Sequence, residues 1–437
     1  MFGYQIKNAL RSLGRNPVLS CLLVLAIALG VAVSTAAVAV YYIYSGNPIP
    51  QKSDQLFYVE LDNWIRPLDP KSGEPEDPPI LIAYRDMIGL GQSDIPTYQS
   101  GMFRTQPTVF PSSPDLPPFR AKARMCYGDF FSMFDAPFAY GNRWDKSADT
   151  KPEAVVVLGA ETNQKLYGGA NSVGKKLQIE DRLFTIVGVL EPWRPNPKFY
   201  DPDYGNSSTD IAEIFLPLAY YKLLELTRTG TTICQEPVGP TLEDFLQSEC
   251  MWIQMWVQLD SPAQKEEYLA YLDAYVTEQK KLGRYPRPLN NRLLSVMELL
   301  RDRKVVPEEA KGLAIISLLF LIVCSVNLIG ILLGKFLSLA PQMGLRRAMG
   351  ASKLSIFIQH IIECEVVGVL GGVVGLGLSV LVLAVVNRAL GEAGAFGLDL
   401  NMVGAGLVLS LVAGLVAGIY PAWRICRVPP AVHLKLQ

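Results

Sequence analysis

The chain has 437 residues, half of them apolar, and a formal net charge of −1. That near-neutral total hides a segregation, because 17–51, 312–334, 366–387 and 400–423 contain no charged residue. A helix of about 20 apolar residues crosses the roughly 30 Å hydrocarbon core of a bilayer, so a purely soluble protein is excluded, and no nucleic-acid partner is expected.

Residues 1–16 predict a small amphipathic helix. Phe2, Ile6, Leu10 and Leu13 share one face, while Lys7, Arg11 and Arg15 recur every fourth residue on another. Such a helix lies in the headgroup plane. The first transmembrane helix follows over 17–45. A cleaved signal peptide would share its basic flank and the "AVA" at 37–39, but the apolar run exceeds the ~7–15 residues of a signal core. It also closes on Tyr41, Tyr42 and Tyr44, an interfacial aromatic belt. A retained anchor is expected.

The segment 46–305 predicts a mixed α/β domain of two subdomains. "QLFYVEL", "EAVVVLG", "KLQIEDRLFTIVGVL" and "MWIQMWVQL" have strand character. "PAQKEEYLAYLDAYVTEQKKL" sets Tyr268, Leu269, Leu272 and Tyr275 on one side of a helix. The Pro- and Asp-rich "IRPLDPKSGEPEDPP" and "EPWRPNPKFYDPDYGNSS" read as loops, with subdomain edges near 60 and 115. "GANSVGKK" at 169–176 imitates the nucleotide-binding pattern GxxxxGK[ST], yet Lys176 stands where a hydroxyl would hold Mg²⁺. Its context is also reversed, because a phosphate loop follows a strand and opens a helix. A helix-to-strand turn is expected.

A stalk and second transmembrane helix occupy 306–335, and a loop on the opposite side of the membrane covers 336–356. The third span is 357–387, a short outer loop 388–399, the fourth span 400–423 and a tail 424–437. Orientation follows from charge. Lys7, Arg11, Arg15, Lys335, Arg346, Arg347, Lys353, Arg424, Arg427 and Lys435 fall in three short segments without an acid. The segment 45–312 holds 29 basic and 37 acidic residues. Both termini are therefore expected in the cytoplasm, with the large domain outside.

Cys21, Cys324, Cys364 and Cys426 lie in or beside the spans, where small apolar packing explains them. Cys126, Cys234 and Cys250 lie outside, and Cys234 with Cys250 closes a short loop that a disulfide would stabilise by roughly 3 kcal/mol. Cys126 is then expected buried and inert. The two histidines, His360 and His433, are on the inner side, and no CxxC, HExxH or GxSxG occurs. A serine–histidine hydrolase outside the membrane is excluded.

The stretch "MGLRRAMGASKLSIFIQHIIECEVVGVLGGVVGLGLS" resembles the MacB/FtsX-type ABC transporter permeases, as does the closing "GIYPAWRICRVPPAVHLK". "EAVVVLGAETNQKLYGGANSVGKKLQIEDRLFTIVGVLEPW" resembles the periplasmic core module of the same group. The resemblance implies a multi-pass protein of the bacterial inner membrane, with four spans in a one-plus-three arrangement around a large periplasmic mixed α/β domain. It implies a dimer with a second permease subunit, identical or paralogous, bound to cytosolic ATPase subunits that hold ATP and Mg. This chain has no cofactor of its own. A periplasmic adaptor and an outer-membrane channel complete the MacB branch, whose members transmit the ATPase stroke mechanically. MacB chains carry the ATPase at their N-terminus and this chain begins at the anchor helix, so a separate ATPase polypeptide is expected. Two further readings remain: an FtsX-like signalling permease that moves no solute, and a lipoprotein-release permease.

The resemblance makes Gly344, Leu345, Arg346, Arg347, Ala348, Gly350, Ala351 and Ser352 the ATPase coupling segment. The bland alternative is topology-setting charge against anionic membrane lipid, about 1 kcal/mol per basic residue. Gln342 departs from the family, which usually has an acid there. Either a partner permease keeps the acid or the position has drifted. Gly368, Gly371, Gly372, Gly375, Gly414 and Gly418 form small-x3-small patterns that allow close helix approach, within one subunit or between two. Glu363 and Glu365 would each cost ~2.5–3.5 kcal/mol deep in the bilayer, which predicts a place at the inner interface near Arg347 or Lys353.

Overall fold

The computed structural model describes residues 2–66, 76–195, 197–201, 211–305, 308–390 and 396–427. The loop segments 67–75 and 202–210, Glu392, and the tail beyond 427 with His433 and Lys435 lie outside the described residues. The chain divides into two compact units, Asn47–Val305 and Met1–Gly46 with Val306–Gln437.

The first unit is built on one mixed sheet. From one edge its path runs Arg292–Ser295, Leu56–Glu60, Met251–Gln258, Tyr98–Thr105, Ala123–Cys126, Ile214–Pro217, Val155–Leu158, Arg182–Leu190 and Lys176–Ile179. Two pairs are parallel, Val155–Leu158 with Arg182–Leu190 and Ala123–Cys126 with Ile214–Pro217. Successive side chains of a strand point to opposite faces, and here both faces are covered. Phe57 and Val59 join one apolar cluster while Leu56 and Tyr58 join the other. This is why Met251–Gln258 is buried at every position.

Helix Pro262–Lys281 covers the first face with Tyr268, Leu272 and Val276, four residues apart. Ser261 caps it by accepting from the Gln264 N–H at 3.2 Å, and Pro262 occupies the first turn. Phe130, Phe131, Phe134, Tyr200, Phe215 and Trp256 fill the second face. Subdomain edges were expected near 60 and 115. The chain near 60 leaves a strand that is paired on both sides, and that near 115 turns between two paired strands, Thr108–Phe110 and Phe119–Arg120.

The "GANSVGKK" segment joins helix Ala160–Tyr167 to strand Lys176–Ile179. Gly168, Gly169 and Gly174 have φ of +64°, +81° and +86°, which explains the glycines as turn residues. Asn163 donates to the Ala170 carbonyl at 3.0 Å and accepts from Ser172 at 2.6 Å, so the turn closes on itself. The Lys175 ammonium sits 4.9 Å from the Tyr167 ring centroid.

Cys234 and Cys250 are joined in a disulfide, and Cys126 is buried on the sheet, where burial pushes its thiol well above the ordinary value. Replacing the pair, Cys234→Ser with Cys250→Ser, is expected to lower the stability of this unit by about 3 kcal/mol. Urea unfolding monitored by tryptophan fluorescence measures it, with a non-reducing peptide map to verify the link. A change below about 1 kcal/mol, or a peptide linking Cys126 to either partner, overturns the expectation.

Among the described residues, the second unit contains four helices long and apolar enough to cross a membrane: Pro17–Ser45, Ala310–Ser338, Lys353–Arg388 and Leu400–Cys426. The chain is a membrane protein with a large mixed α/β extracytoplasmic domain. The six glycines of the small-x3-small patterns pack against other helices of the same chain. A Cβ at Gly371 would lie 2.7 Å from Ile27, and one at Gly375 would lie 2.8 Å from the Ala28 carbonyl, both on the first span. Gly368 and Gly372 face Ser410 on the fourth span, and Gly414 and Gly418 face Cys364 on the third. The third span can therefore touch the first and the fourth at backbone distance.

Candidate functional site

The segment between the second and third spans is a short helix, Ala340–Ala348, set off from helix Glu308–Ser338 by Leu339 and opened by Pro341. Proline is favoured in a first helical turn, where its missing N–H leaves no bond unmade. Gly350 ends the helix at φ +103°. The Ala351 N–H donates to the Arg346 carbonyl and the Gly350 N–H to the Arg347 carbonyl, at 3.0 and 3.1 Å. This paired closure requires a left-handed residue, which glycine adopts without strain. Ser352 then opens the third span by accepting from the Ser355 N–H at 3.1 Å.

Of the residues expected in this segment, the structure divides the two arginines. Arg346 Nη1 donates to Gln359 Oε1 on the third span at 3.0 Å. Arg347 Nη1 donates to the Cys426 carbonyl at 3.5 Å, at the last residue of the fourth-span helix. A cation there complements the negative end of the helix dipole. Met343 and Gly344 are buried beneath the short helix, while Leu345 is 54% exposed, Met349 73% and Leu354 66%. An anchored helix thus offers apolar side chains and a guanidinium on its outer side. Sequence reasoning passed over Met349, Leu354, Gln359 and Cys426. Large apolar residues inside an otherwise basic loop were the available signal for the first two.

Behind the short helix lies a buried ion pair. Lys335 Nζ is 2.6 Å from Glu363 Oε1, which also accepts from Ser12 Oγ at 2.6 Å. His360 Nδ1 stands 3.5 Å from Glu363 Oε2, and its ring lies against Phe336 at 4.2 Å between centroids. This corrects the expected pairing of Glu363 with Arg347 or Lys353. Glu363 is on the inward face of the third span, one turn beyond His360, where the end of the second span meets it. Lys335 is buried and so cannot present its charge to lipid. The amphipathic helix Phe2–Arg15 contributes Ser12 and buries Ala9 and Leu13, while Leu10 stays exposed with Lys7, Arg11 and Arg15. The expected apolar face is therefore split, because Glu363 and its neighbours draw in the side of the helix that carries Ser12.

Residues 20–275 match the profile of the MacB-like periplasmic core domain. Residues 314–430 match the FtsX-like permease C-terminal profile. The chain belongs to the MacB/FtsX-type ABC transporter permease family. It is 24% identical over 342 residues to the Macrolide export ATP-binding/permease protein MacB of Syntrophobacter fumaroxidans, covering 70% of this chain and 46% of that protein. It is 23% identical over 314 residues to the Pyoverdine export ATP-binding/permease protein PvdT of Pseudomonas aeruginosa, covering 71% and 41%. The chain thus spans less than half the length of the curated relatives it matches. Among solved structures, the periplasmic region of MacB from Actinobacillus actinomycetemcomitans aligns with a TM-score of 0.36 at 11% identity, over 58% of this chain and 94% of that one. Membership makes the described segments those of a permease, with the MacB-like domain outside the membrane and the FtsX-like region carrying the short helix.

Proposed function

We propose that this chain is the transmembrane permease of an ABC transporter in a bacterial inner membrane, relaying ATP hydrolysis by a cytosolic ATPase to its periplasmic domain. Both termini lie in the cytoplasm in this reading. ATP and Mg are held by the ATPase, and a second permease subunit completes the transporter. The stroke drives adaptor-linked efflux or secretion by mechanotransmission, through a periplasmic adaptor and an outer-membrane channel.

The observation that carries the proposal is the anchored helix Ala340–Ala348. A relay element must be stiff at its roots and open at its tip. Arg346 to Gln359 and Arg347 to Cys426 root it on two different spans, and Gly350 stops it sharply. Leu345 and Met349 are exposed among the described residues, as a docking surface requires. Exposed Lys7, Arg11, Arg15, Arg346 and Lys353 support the cytoplasmic side for this end of the bundle. Both curated relatives are named as exporters, which supports export over signalling.

A photocrosslinking residue at Leu345 or Met349, activated in native membranes, tests the contact. The expected product is an adduct with an ABC ATPase, identified by mass spectrometry and diminished by nucleotide conditions that open the ATPase dimer. Adducts with lipid alone would overturn the assignment.

A further inference from the structure

The extracytoplasmic unit contains a cleft of about 520 Å³ that the relay does not use. Its size falls among pockets that hold small organic molecules. It opens between helix Tyr84–Leu90, the segment 127–129, the segment 146–152 and the turn at 218–223. Ile88 and Leu223 at its wall are 42% and 46% exposed, so apolar surface is on offer there.

Its inner polar groups are short of partners. Asp149 Oδ1 accepts from the Gly128 N–H at 2.8 Å and from Trp144 Nε1 at 3.0 Å, while Oδ2 has no hydrogen bond among the described residues. The Gln99 side chain donates to the Gly91 and Ser93 carbonyls, and its Oε1 is buried with no partner. An unpaired buried acceptor is costly, so Gln99 Oε1 favours a donor beside it, whether an ordered water or a group of a bound molecule. Tyr84 and Tyr127 supply two aromatic rings beside these acceptors. Burial pushes the Asp149 carboxyl up to about 6, against the opposing Trp144 and Gly128 hydrogen bonds, so it remains ionised at neutral pH. A carboxylate, an amide oxygen and aromatic rings together suit an ammonium group.

Two other charges set the opposite preference at the opening. Lys146 and Lys222 line the cleft and are exposed. Lys222 Nζ stands 5.9 Å from the Tyr84 ring centroid and 3.8 Å from Glu243. A simple cation meets these lysines on entry, and a simple anion meets Asp149 within. Asp129 is already satisfied by Arg143 at 2.8 Å. We infer that this cleft binds a small zwitterion, an amino acid or short peptide with an apolar side chain, whose ammonium faces Asp149 and Gln99 and whose carboxylate faces Lys222 and Lys146. The apolar side chain lies against Ile88 and Leu223.

The test uses the full chain in lipid nanodiscs and isothermal titration calorimetry. L-phenylalanine and the dipeptide Phe-Ala are the probes. Phenethylamine, without the carboxylate, and 3-phenylpropanoate, without the ammonium, are the controls. At least one zwitterionic probe is expected to saturate one site, at least tenfold more tightly than either control. Lys222→Met is a surface change and should weaken the zwitterion about tenfold while leaving phenethylamine unchanged or improved. Asp149→Asn should weaken every compound that carries an ammonium group by at least tenfold, and Ala219→Trp should abolish binding by filling the cleft. No saturable binding of either zwitterion, equal binding of all four compounds, or binding unaffected by both Lys222→Met and Ala219→Trp would overturn the inference.

Discussion

Arg346→Glu combined with Arg347→Glu is expected to reduce co-purification of the ATPase at least a hundredfold and to abolish substrate-stimulated hydrolysis. Close charge pairs across an interface have coupling energies of about 1.5–7 kcal/mol, and each 1.4 kcal/mol is about a tenfold change. The two changes are expected to act differently, because the two arginines have different partners. Arg347 lies against the Cys426 carbonyl at the end of the fourth-span helix. An acid there meets the negative pole of that helix, so the helix Ala340–Ala348 loses one root. Arg346→Glu alone is milder, because the new carboxylate can accept from the amide of Gln359, the side chain that holds Arg346. The single Arg346 change therefore isolates the partner contact and should cost about tenfold. Lys175→Glu, on the extracytoplasmic turn, is the control and should change neither readout. Normal ATPase binding and stimulation in the double variant would reduce this segment to a topology signal.

Asp201→Ala is expected to destabilise the extracytoplasmic unit by about 3–5 kcal/mol, the usual cost of removing one partner from a buried ion pair. The Asp201 carboxylate accepts from Arg124, lies 2.9 Å from Lys198 and 3.7 Å from Arg104, and accepts from Gln254 Nε2 at 2.6 Å. The Asp201 and Arg124 side chains are each 1% exposed, and Lys198 is 3%. Burial by itself would push the Asp201 carboxyl up, but Arg124, Lys198 and Arg104 overcome it and hold it well below the usual carboxylate range. The sign of the pH effect follows. A carboxyl lowered by folding contributes stability above its unfolded value, near pH 4, and that contribution drains away as pH falls below it. Wild type should lose stability steeply below about pH 4, and Asp201→Ala should show a shallower slope there. Thermal unfolding at pH 7 and across pH 2–5 measures both. A melting point lowered by only 1–2 °C, or parallel pH slopes, would show that the cluster does not stabilise the unit as a buried ion-pair network.

The organisation of the chain was open to sequence reasoning to different depths. Strand character around Leu56–Glu60, Val155–Leu158 and Met251–Gln258 was readable because short runs of apolar, β-branched and aromatic side chains suit strands buried on both faces. The helix turn at Gly168 and Gly169 was readable because a helix that ends in glycine cannot be the start of a phosphate loop. The segment 340–352 was visible as a basic stretch without acids, but the two contacts that root its helix were not. Gln359 and Cys426 look unremarkable in sequence, 13 and 79 residues from the arginines they hold. Of the cations around Asp201 only Lys198, three residues away, was near it in sequence, while Arg104 and Arg124 lie on two neighbouring strands far earlier in the chain.

By itself the sequence determined which segments face lipid and which face water. Excluding charge from runs of about 20 residues leaves a helix only one inexpensive environment, and a stretch carrying 37 acidic residues cannot share it. It also showed which side of helix Pro262–Lys281 turns inward, because Tyr268 and Leu272 recur at the helical period, whereas the strands are buried on both faces. It could not determine what each face meets. Glu363 was readable as an acid in need of a partner, yet only the packing of three helices selected Lys335 and Ser12 over Arg347 and Lys353. Gly371 and Gly375 were readable as points of close approach, and only the bundle placed Ile27 and Ala28 there. Ion pairs and backbone contacts act over a few ångströms between residues hundreds of positions apart, so their partners are chosen by the tertiary fold.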